Sequence, residues 1–389
     1  MWEKVKLGEV CTIFGGYAFK SEQYVKNAIP LVRISNITEN QIILDDECSI
    51  EENSKYNQFE ILNGDILVAL SGATTGKFGV YKYYERAYLN QRVALIRKTD
   101  QTCQKFIFYY LNQIKEDILR KAGGAAQPNI STSELGKFEI PLPPLPIQEK
   151  IATILDKADE LRRKDKDLQA KYDELVQAIF IDMFGDPVKN EKGWEVKKLE
   201  ELGYLKNGLN YGNNESGKEL KVFGVGNFES NWLFDDYNNL KSLNLDTIPN
   251  KSFLLADGDI LFVRSNGNKD LIGRAVLLKN INTEITYSGF CIKFTKTSSA
   301  VNAYYLIRLL VNSKFKKYIL NGGRGANIQN INQEILSSLN IPVPPLHLQE
   351  AFAKKIELIN QLKAQTNAQK SEELFQSLLQ KAFKGELVS

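Results

Sequence analysis

The chain has 389 residues, 50 Lys and Arg against 47 Asp and Glu, a formal net charge of +3 and 43% hydrophobic content, enough for two cored domains plus connecting helices. No apolar run reaches the length of a membrane span, and Met1-Trp2-Glu3-Lys4 lacks the basic and apolar blocks of a signal peptide, so a cytoplasmic protein is expected. Cys11, Cys48, Cys103 and Cys291 are scattered with no CxxC, which argues for reduced, buried thiols and against disulfides or a zinc site.

Residues 1–140 read as one mixed α and β domain. RISNI (Arg33 to Ile37) is followed by FEILNGDIL (Phe59 to Leu67), whose Asn-Gly-Asp turn introduces a short apolar strand, Ile66 to Leu70. Next come a polar loop, SGATTGK (Ser71 to Lys77), a strand at Val93 to Ile96, and a helix over Lys105 to Arg120 in which Tyr109 and Tyr110 are core candidates. A Gly-rich loop, AGGAAQPNIS, closes the block.

Residues 141–186 form a proline clamp and a long helix. In IPLPPLPIQEK, Pro144 and Pro146 force extended backbone ahead of a helix that begins near Gln148-Glu149. Ile151, Ala158, Asp165, Tyr172 and Ile179 recur every seven residues, with Ile154, Leu161, Leu168 and Leu175 interleaved. Such a pattern is a coiled-coil seam. About 36 helical residues make a rod of roughly 54 Å, suited to holding two domains apart.

Residues 187–340 repeat the first domain, and 341–389 repeat the clamp and helix. Trp194-Glu195 answers Trp2-Glu3, GVGNF (Gly224 to Phe228) answers RISNI, and FLLADGDIL (Phe253 to Leu261) answers FEILNGDIL. RSNGNKD (Arg264 to Asp270) stands where SGATTGK stands, and NGGRGANIQNIN matches the first Gly-rich loop. Strands are expected at Ile260 to Val263 and Cys291 to Phe294, and a helix at Ala303 to Leu320. IPVPPLHLQEA opens the second helix, whose apolar positions are Phe352, Ile356, Ile359, Leu362, Leu374 and Leu378 around a polar middle at Thr366. Two helices ending equivalent domains are expected to pack antiparallel, relating the copies by a pseudo-twofold axis. Only residues 187–340 are clearly basic, 20 Lys and Arg against 15 Asp and Glu, which favours a polyanionic partner.

Catalytic signatures are missing from the sequence. SGATTGK is one residue short of a phosphate-binding P-loop and has Phe78 where Ser or Thr would hold magnesium. His347, the one histidine, lies in the second clamp and leaves no Ser-His or Cys-His pairing elsewhere. Asp186 with Glu195-Val196-Lys197 has a nuclease flavour but sits in a linker, and there is no Asn-Pro-Pro-aromatic tetrapeptide of a methyltransferase. The polar loops carry the side-chain types that hold phosphates or read base edges. Candidates for DNA contact are Arg33, Asn36, Ser71, Thr74, Thr75, Lys77, Gln127 and Asn129 in the first copy. Arg264, Asn266, Asn268, Lys269, Arg324, Asn327, Gln329 and Asn330 are the candidates in the second. The same glycines could equally serve as helix caps.

A duplicated α+β domain with diverged surfaces, each copy followed by a PLPPLxxQE-type clamp and a long helix, resembles the specificity subunit of type I restriction-modification enzymes. The resemblance rests on GDIL with its S-G-x-T-x-G-K loop, the Q-P-N-I-S loop, the clamps and the terminal A-F-K-G-E-L, and it covers essentially the whole chain. It implies two target recognition domains, 1–140 and 187–340, each reading half of a bipartite double-stranded DNA target. It also implies antiparallel spacer helices that dock two methyltransferase subunits and, in some complexes, nuclease subunits, with no cofactor, metal or catalysis in this chain. The second copy departs by carrying RSNGNKD. A bivalent protein-binding scaffold is the rival expectation, favoured by the evenly balanced charge of residues 1–140.

Overall fold

The computed structural model describes residues 2–38, 40–45, 47–123, 128–211, 217–228, 232–245, 249–321, 330–366 and 368–388. They form two compact units, Met1–Asp167 with Asn367–Ser389, and Leu168–Thr366. Each unit therefore contains one copy of the repeated domain together with a segment of both long helical regions.

In the first unit a five-stranded sheet has the spatial order Cys11–Gly15, Val93–Lys98, Ile66–Ala69, Phe78–Val80, Asn40–Gln41. The second unit repeats this order as Gly203–Asn207, Cys291–Lys296, Ile260–Val263, Ala275–Leu278, Leu233–Phe234. In both, the last strand pairs parallel with its neighbour and the others pair antiparallel. A second sheet differs, with five short strands in the first unit and three in the second. Each domain is closed by pairing its first strand with the strand that leads into the clamp: Lys4–Lys6 with Glu139–Pro141, and Glu195–Lys198 with Asn340–Val343.

The shared GDIL motif has a physical cause. Asp65 and Asp259 are 3% and 2% exposed, and each carboxylate accepts the backbone N–H three residues upstream, from Leu62 at 2.7 Å and Ala256 at 2.8 Å. The glycines before them, Gly64 and Gly258, have φ of +92° and +87°, a region that side chains disfavour. What balances the buried acid differs. Arg97 bonds both oxygens of Asp65, at 2.8 and 2.6 Å, whereas Asp259 is met by the Thr295 hydroxyl at 2.6 Å and the Lys293 ammonium at 3.6 Å.

One helix runs from Leu145 to Phe184, Leu145–Phe184 being 40 residues long. Pro146 stands in its first turn, where a missing N–H costs nothing, and Gly185 at φ +79° ends it. The second helical region is not continuous: Leu346–Gln365 and Ala368–Lys384 are separate helices. Thr366 leaves helical geometry at φ −85°, ψ 97° and turns its hydroxyl back to the Lys363 carbonyl, 2.9 Å away, a local bond that competes with the helix.

Within each unit the two helical segments run antiparallel. In the first, Ile151, Leu155 and Ala158 share a core with Phe375, Leu379 and Ala382, and Arg162 pairs with Glu372 at 3.1 Å. In the second, Val176, Phe180 and Phe184 share a core with Phe352, Ile356 and Ile359, and Lys363 pairs with Asp173 at 2.8 Å. Phe352 touches both Phe180 and Phe184 edge-on, at 5.6 and 5.3 Å between centroids. Truncating such a fully buried ring costs about 3–5 kcal/mol.

The buried stripe differs from the expected heptad seam. Ile151, Phe352, Ile356 and Ile359 are buried and Ile154 and Leu378 half-buried, but Leu161, Leu168, Leu175, Leu362 and Leu374 are exposed by 36% to 46%. The stripe instead follows Ile151, Leu155, Ala158 and Val176, Phe180, Phe184, because each segment packs on a domain as well as on a helix. The stretch between these ends is mostly charged, its leucines exposed, and Asp159, itself buried, is held by Arg162 and Arg163 at 2.6 and 2.5 Å. The single helices expected at 105–120 and 303–320 are each broken in two, Gln104–Gln113 with Lys115–Ala122 and Ala303–Leu310 with Ser313–Leu320. Tyr109, Tyr110 and Tyr305 are buried. Among the described residues, no helix is long and apolar enough to cross a membrane, and no cluster could hold a metal ion.

Candidate nucleic-acid interface

In the first unit the SGATTGK loop leaves the end of the central strand Ile66–Ala69, and the segment after the Gly-rich loop is tied directly onto it. Ile130 N–H donates to the Leu70 carbonyl at 2.9 Å, and Gly72 N–H to the Pro128 carbonyl at 3.2 Å. The Thr75 hydroxyl lies 2.7 and 2.9 Å from the carbonyls of Gly72 and Pro128. Ser71, Lys77 and Asn129 are thereby brought into one construction. A cleft of about 530 Å³ opens beside it, lined by Ser71, Gln91, Arg92, Asn129 and Thr132.

Lys77 is exposed and follows Gly76, whose φ of +77° turns the chain tightly against Ile118 and Leu119. Thr75 is 5% exposed and its hydroxyl is engaged as a latch between the two loops. The hydroxyls of Ser71 and Thr74 are buried without a partner among the described residues.

The second unit repeats the construction with other side chains. Ile331 N–H donates to the Arg264 carbonyl at 3.0 Å, so the RSNGNKD loop and the end of the second Gly-rich loop also meet. Asn266 and Asn268 accept the N–H groups of Asn268 and Asp270, at 2.7 and 3.0 Å, and so shape their own loop. Asn268 and Asn330 are exposed and Arg264 and Asn266 half-buried. Lys269 belongs to the short 3-10 turn Lys269–Leu271. Gln127, Arg324, Asn327 and Gln329 lie outside the described residues.

Asn36 is not available to read a base. It is 4% exposed, its amide donates to the Ile43 carbonyl at 2.9 Å and the Asp45 carboxylate at 2.8 Å, and its oxygen accepts Arg33 N–H at 2.9 Å. Asn227 accepts Gly224 N–H at 2.8 Å in the same way, so the RISNI and GVGNF match reflects a shared turn. Arg33 is half-buried and contacts Asp45 at 3.4 Å.

Sequence comparison of the copies also missed one residue. Ala69 N–H donates to the Lys77 carbonyl at 2.8 Å, and Val263 N–H to the Arg274 carbonyl at 2.9 Å, with Gly76 and Gly273 just before them at φ +77° and +73°. Arg274 is therefore the counterpart of Lys77. The paired positive-φ glycines were the available signal. By the same logic the Leu70 to Arg92 and Arg264 to Phe290 backbone bonds, at 2.9 and 2.8 Å, match an exposed arginine in one unit with an exposed phenylalanine in the other.

The sequence pattern described as a type I restriction modification DNA specificity domain matches residues 1–170 and 191–376. The StySPI specificity subunit of a type I restriction enzyme from Salmonella potsdam is 24% identical over 426 residues, covering all of this chain and 89% of its own length. The MjaVIII specificity subunit of Methanocaldococcus jannaschii is 34% identical over 192 residues, 46% of this chain and 45% of that one. In fold, the chain is similar to the S subunit of a type I restriction-modification system from M. genitalium, with a TM-score of 0.56 at 17% identity, across 98% of this chain and 96% of that one.

Proposed function

The chain belongs to the type I restriction-modification DNA specificity family, and from that premise we propose that its two units read the two halves of a bipartite, non-palindromic DNA target. It is a specificity subunit, a non-catalytic recognition component of such a system. The observation that carries the bipartite reading is the repeated loop construction, built on one backbone plan and filled with different side chains: Leu70, Lys77 and Arg92 in one unit, Arg264, Arg274 and Phe290 at the equivalent places in the other. One scaffold presenting two chemistries fits two unlike half-sites.

In this proposal the exposed cations hold backbone phosphates and set register, while amide and guanidinium groups read base edges in the major groove. The continuous helix Leu145–Phe184 contributes residues to both units and acts as a ruler that fixes half-site separation at about one helical turn, roughly 34–36 Å of duplex. The helical segments also dock two methyltransferase subunits and, in some complexes of this family, nuclease subunits, in a cytoplasmic complex. Mapping methylated positions in the genome of a host that expresses this chain with its methyltransferase partner tests the proposal. Two different half-sites at a fixed spacing are expected; a single half-site, or its exact palindrome, rules it out.

A further inference from the structure

Within the second unit a cavity of about 370 Å³ is lined by Arg274, Arg308, Lys316, Asn312, Asp173 and Trp232 among others. Arg308 is 7% exposed, has no hydrogen-bond acceptor for its Nε, and lies against the Trp232 ring, 5.2 Å from its centroid. Burying the Nε of a charged guanidinium with nothing to donate to is costly. Its surroundings already push its pKa down to about 10 through desolvation, only partly offset by the charge of Asp173. That carboxylate is engaged elsewhere, by Lys363 at 2.8 Å.

The other cations do not relieve this. Arg274 spends one hydrogen bond on the Phe228 carbonyl at 3.3 Å, and Lys316 spends one on the Asp270 carbonyl at 3.1 Å. Burial and then the nearby charge of Arg274 lower the pKa of Lys316, with the charge of Asp270 acting the other way, so two like charges are held close together. Three cations thus face one cavity that contains a single, already paired acid.

The scaffold does not require a cation there. Cys103 and Asn302 donate their backbone N–H groups to equivalent glutamines, Gln148 and Gln349, at 2.9 and 2.8 Å. Counting along the helix from these matched residues sets Arg308 against Tyr109, whose hydroxyl bonds Asp156 at 2.7 Å. One unit therefore fills the position with a satisfied tyrosine and the other with an unsatisfied arginine.

We propose that the cavity bounded by Arg274, Arg308, Lys316 and Trp232 is a phosphate-binding site. A phosphate matches it better than a carboxylate because a multiply charged tetrahedral group offers acceptors to all three cations at once, and guanidinium forks suit its geometry. Two sources share that chemistry: a backbone phosphate of bound DNA, suggested by Arg274 being the counterpart of Lys77, and a free phosphate or the phosphate of a small molecule. The site is a property of the chain alone and does not rest on the DNA reading.

The test is calorimetric titration and thermal unfolding of the full chain with inorganic phosphate, against sodium chloride at matched ionic strength. Wild type should bind phosphate with measurable heat and a rise in Tm beyond that in chloride, and Arg308→Met should lose affinity at least tenfold. In phosphate-free buffer Arg308→Met should be no less stable than wild type, since it removes an unpartnered buried charge. Lys316→Met, on a residue less central to the core, should weaken phosphate binding in the same direction and serves if Arg308→Met does not fold. Repeating the titration with saturating duplex separates the sources: abolished phosphate binding assigns the site to the DNA backbone, and undiminished binding assigns it to a free phosphate. Phosphate acting no differently from chloride on wild type, or equally on wild type and the variants, overturns the proposal.

Discussion

Gln148 and Gln349 make the same three hydrogen bonds in their respective units. Each is fully buried. The Gln148 oxygen accepts Cys103 N–H at 2.9 Å, and its amide donates to the carbonyls of Gln101 and Pro143, at 3.0 and 2.8 Å. The Gln349 oxygen accepts Asn302 N–H at 2.8 Å, and its amide donates to the carbonyls of Ala300 and Pro344, at 3.0 and 2.6 Å. The glutamine after each proline clamp thus rivets the first turn of a long helix to the start of a domain helix.

Replacing either glutamine by alanine leaves one backbone N–H and two carbonyls without those partners. Gln148→Ala and Gln349→Ala should each destabilise by about 1–3 kcal/mol, read as a lower urea midpoint. Because the two sites belong to different units with no shared partner, the losses should add within about 0.5 kcal/mol. A strongly non-additive double variant contradicts two independent rivets.

Arg162 and Glu372 should be unequal partners. Glu372 is half exposed, 48% at its side chain, so Glu372→Gln should cost no more than about 1 kcal/mol. Arg162 also bonds Asp159 and lies 4.0 Å from the Phe375 ring centroid. Arg162→Ala should therefore cost more, on the order of 2 kcal/mol, through lost packing and a buried Asp159 left to Arg163 alone. Equal losses in urea unfolding of the two variants disprove the distinction.

Asp186 should make the protein acid-sensitive. Its carboxyl is held below the usual carboxylate range, first by the Lys314 ammonium 2.6 Å away and then by the N–H groups of Val188 and Lys189. A folded-state pKa below the unfolded value, about 4, means stabilisation that is present above that value and lost as pH falls through the folded one. Wild type should lose more stability than Asp186→Asn between pH 6 and pH 3, with urea midpoints measured at each pH. Parallel curves argue that the pair contributes nothing.

The repeat was legible wherever backbone geometry dictates residue identity. Gly64 with Asp65, Gly258 with Asp259 and the clamp glutamines recur because a positive φ or a buried hydrogen bond admits few alternatives. The correspondence of Lys77 and Arg274 was not legible, since Asp65 to Lys77 spans 12 positions and Asp259 to Arg274 spans 15, and only the hairpin hydrogen bonds align them. The helix seam was misread for a different reason. Heptad counting assumes that a helix has one partner, while Phe180 and Leu155 answer to a domain core as well. Asn36 looked like a reader because amide chemistry is the same whether it serves a base or a turn.

Lys77 and Arg324 should separate affinity from specificity. An exposed lysine on a phosphate acts as a point charge, so Lys77→Ala should weaken binding to all duplexes alike and reduce the slope of log affinity against log salt by about one unit. Arg324 in the second Gly-rich loop is proposed to read guanine; Arg324→Ala should cost about 1–3 kcal/mol and relax one base position of one half-site. Binding isotherms at several salt concentrations distinguish the two, and unchanged binding in both variants reduces these loops to helix caps.

The ruler proposal can be tested by shortening the helices without touching either reading surface. In Leu145–Phe184 the residues buried in domain cores cluster at Ile151 to Ala158 and at Val176 to Phe184, and the stretch between is mostly charged and ion-paired, with its leucines exposed. Removing seven residues from that stretch shortens the helix by about 10 Å. It rotates one end against the other by only ~20°, so both core-facing stripes keep their orientation. A matching seven-residue deletion around Thr366, where the second helical region is already broken, keeps the antiparallel segments in step. The double deletion should change the preferred distance between half-sites and leave both half-site sequences as they were, as read by mapping methylated positions with the methyltransferase partner. New half-sites at the old spacing mean that the helices read bases; the old spacing with unchanged half-sites means that something other than the helices sets the distance.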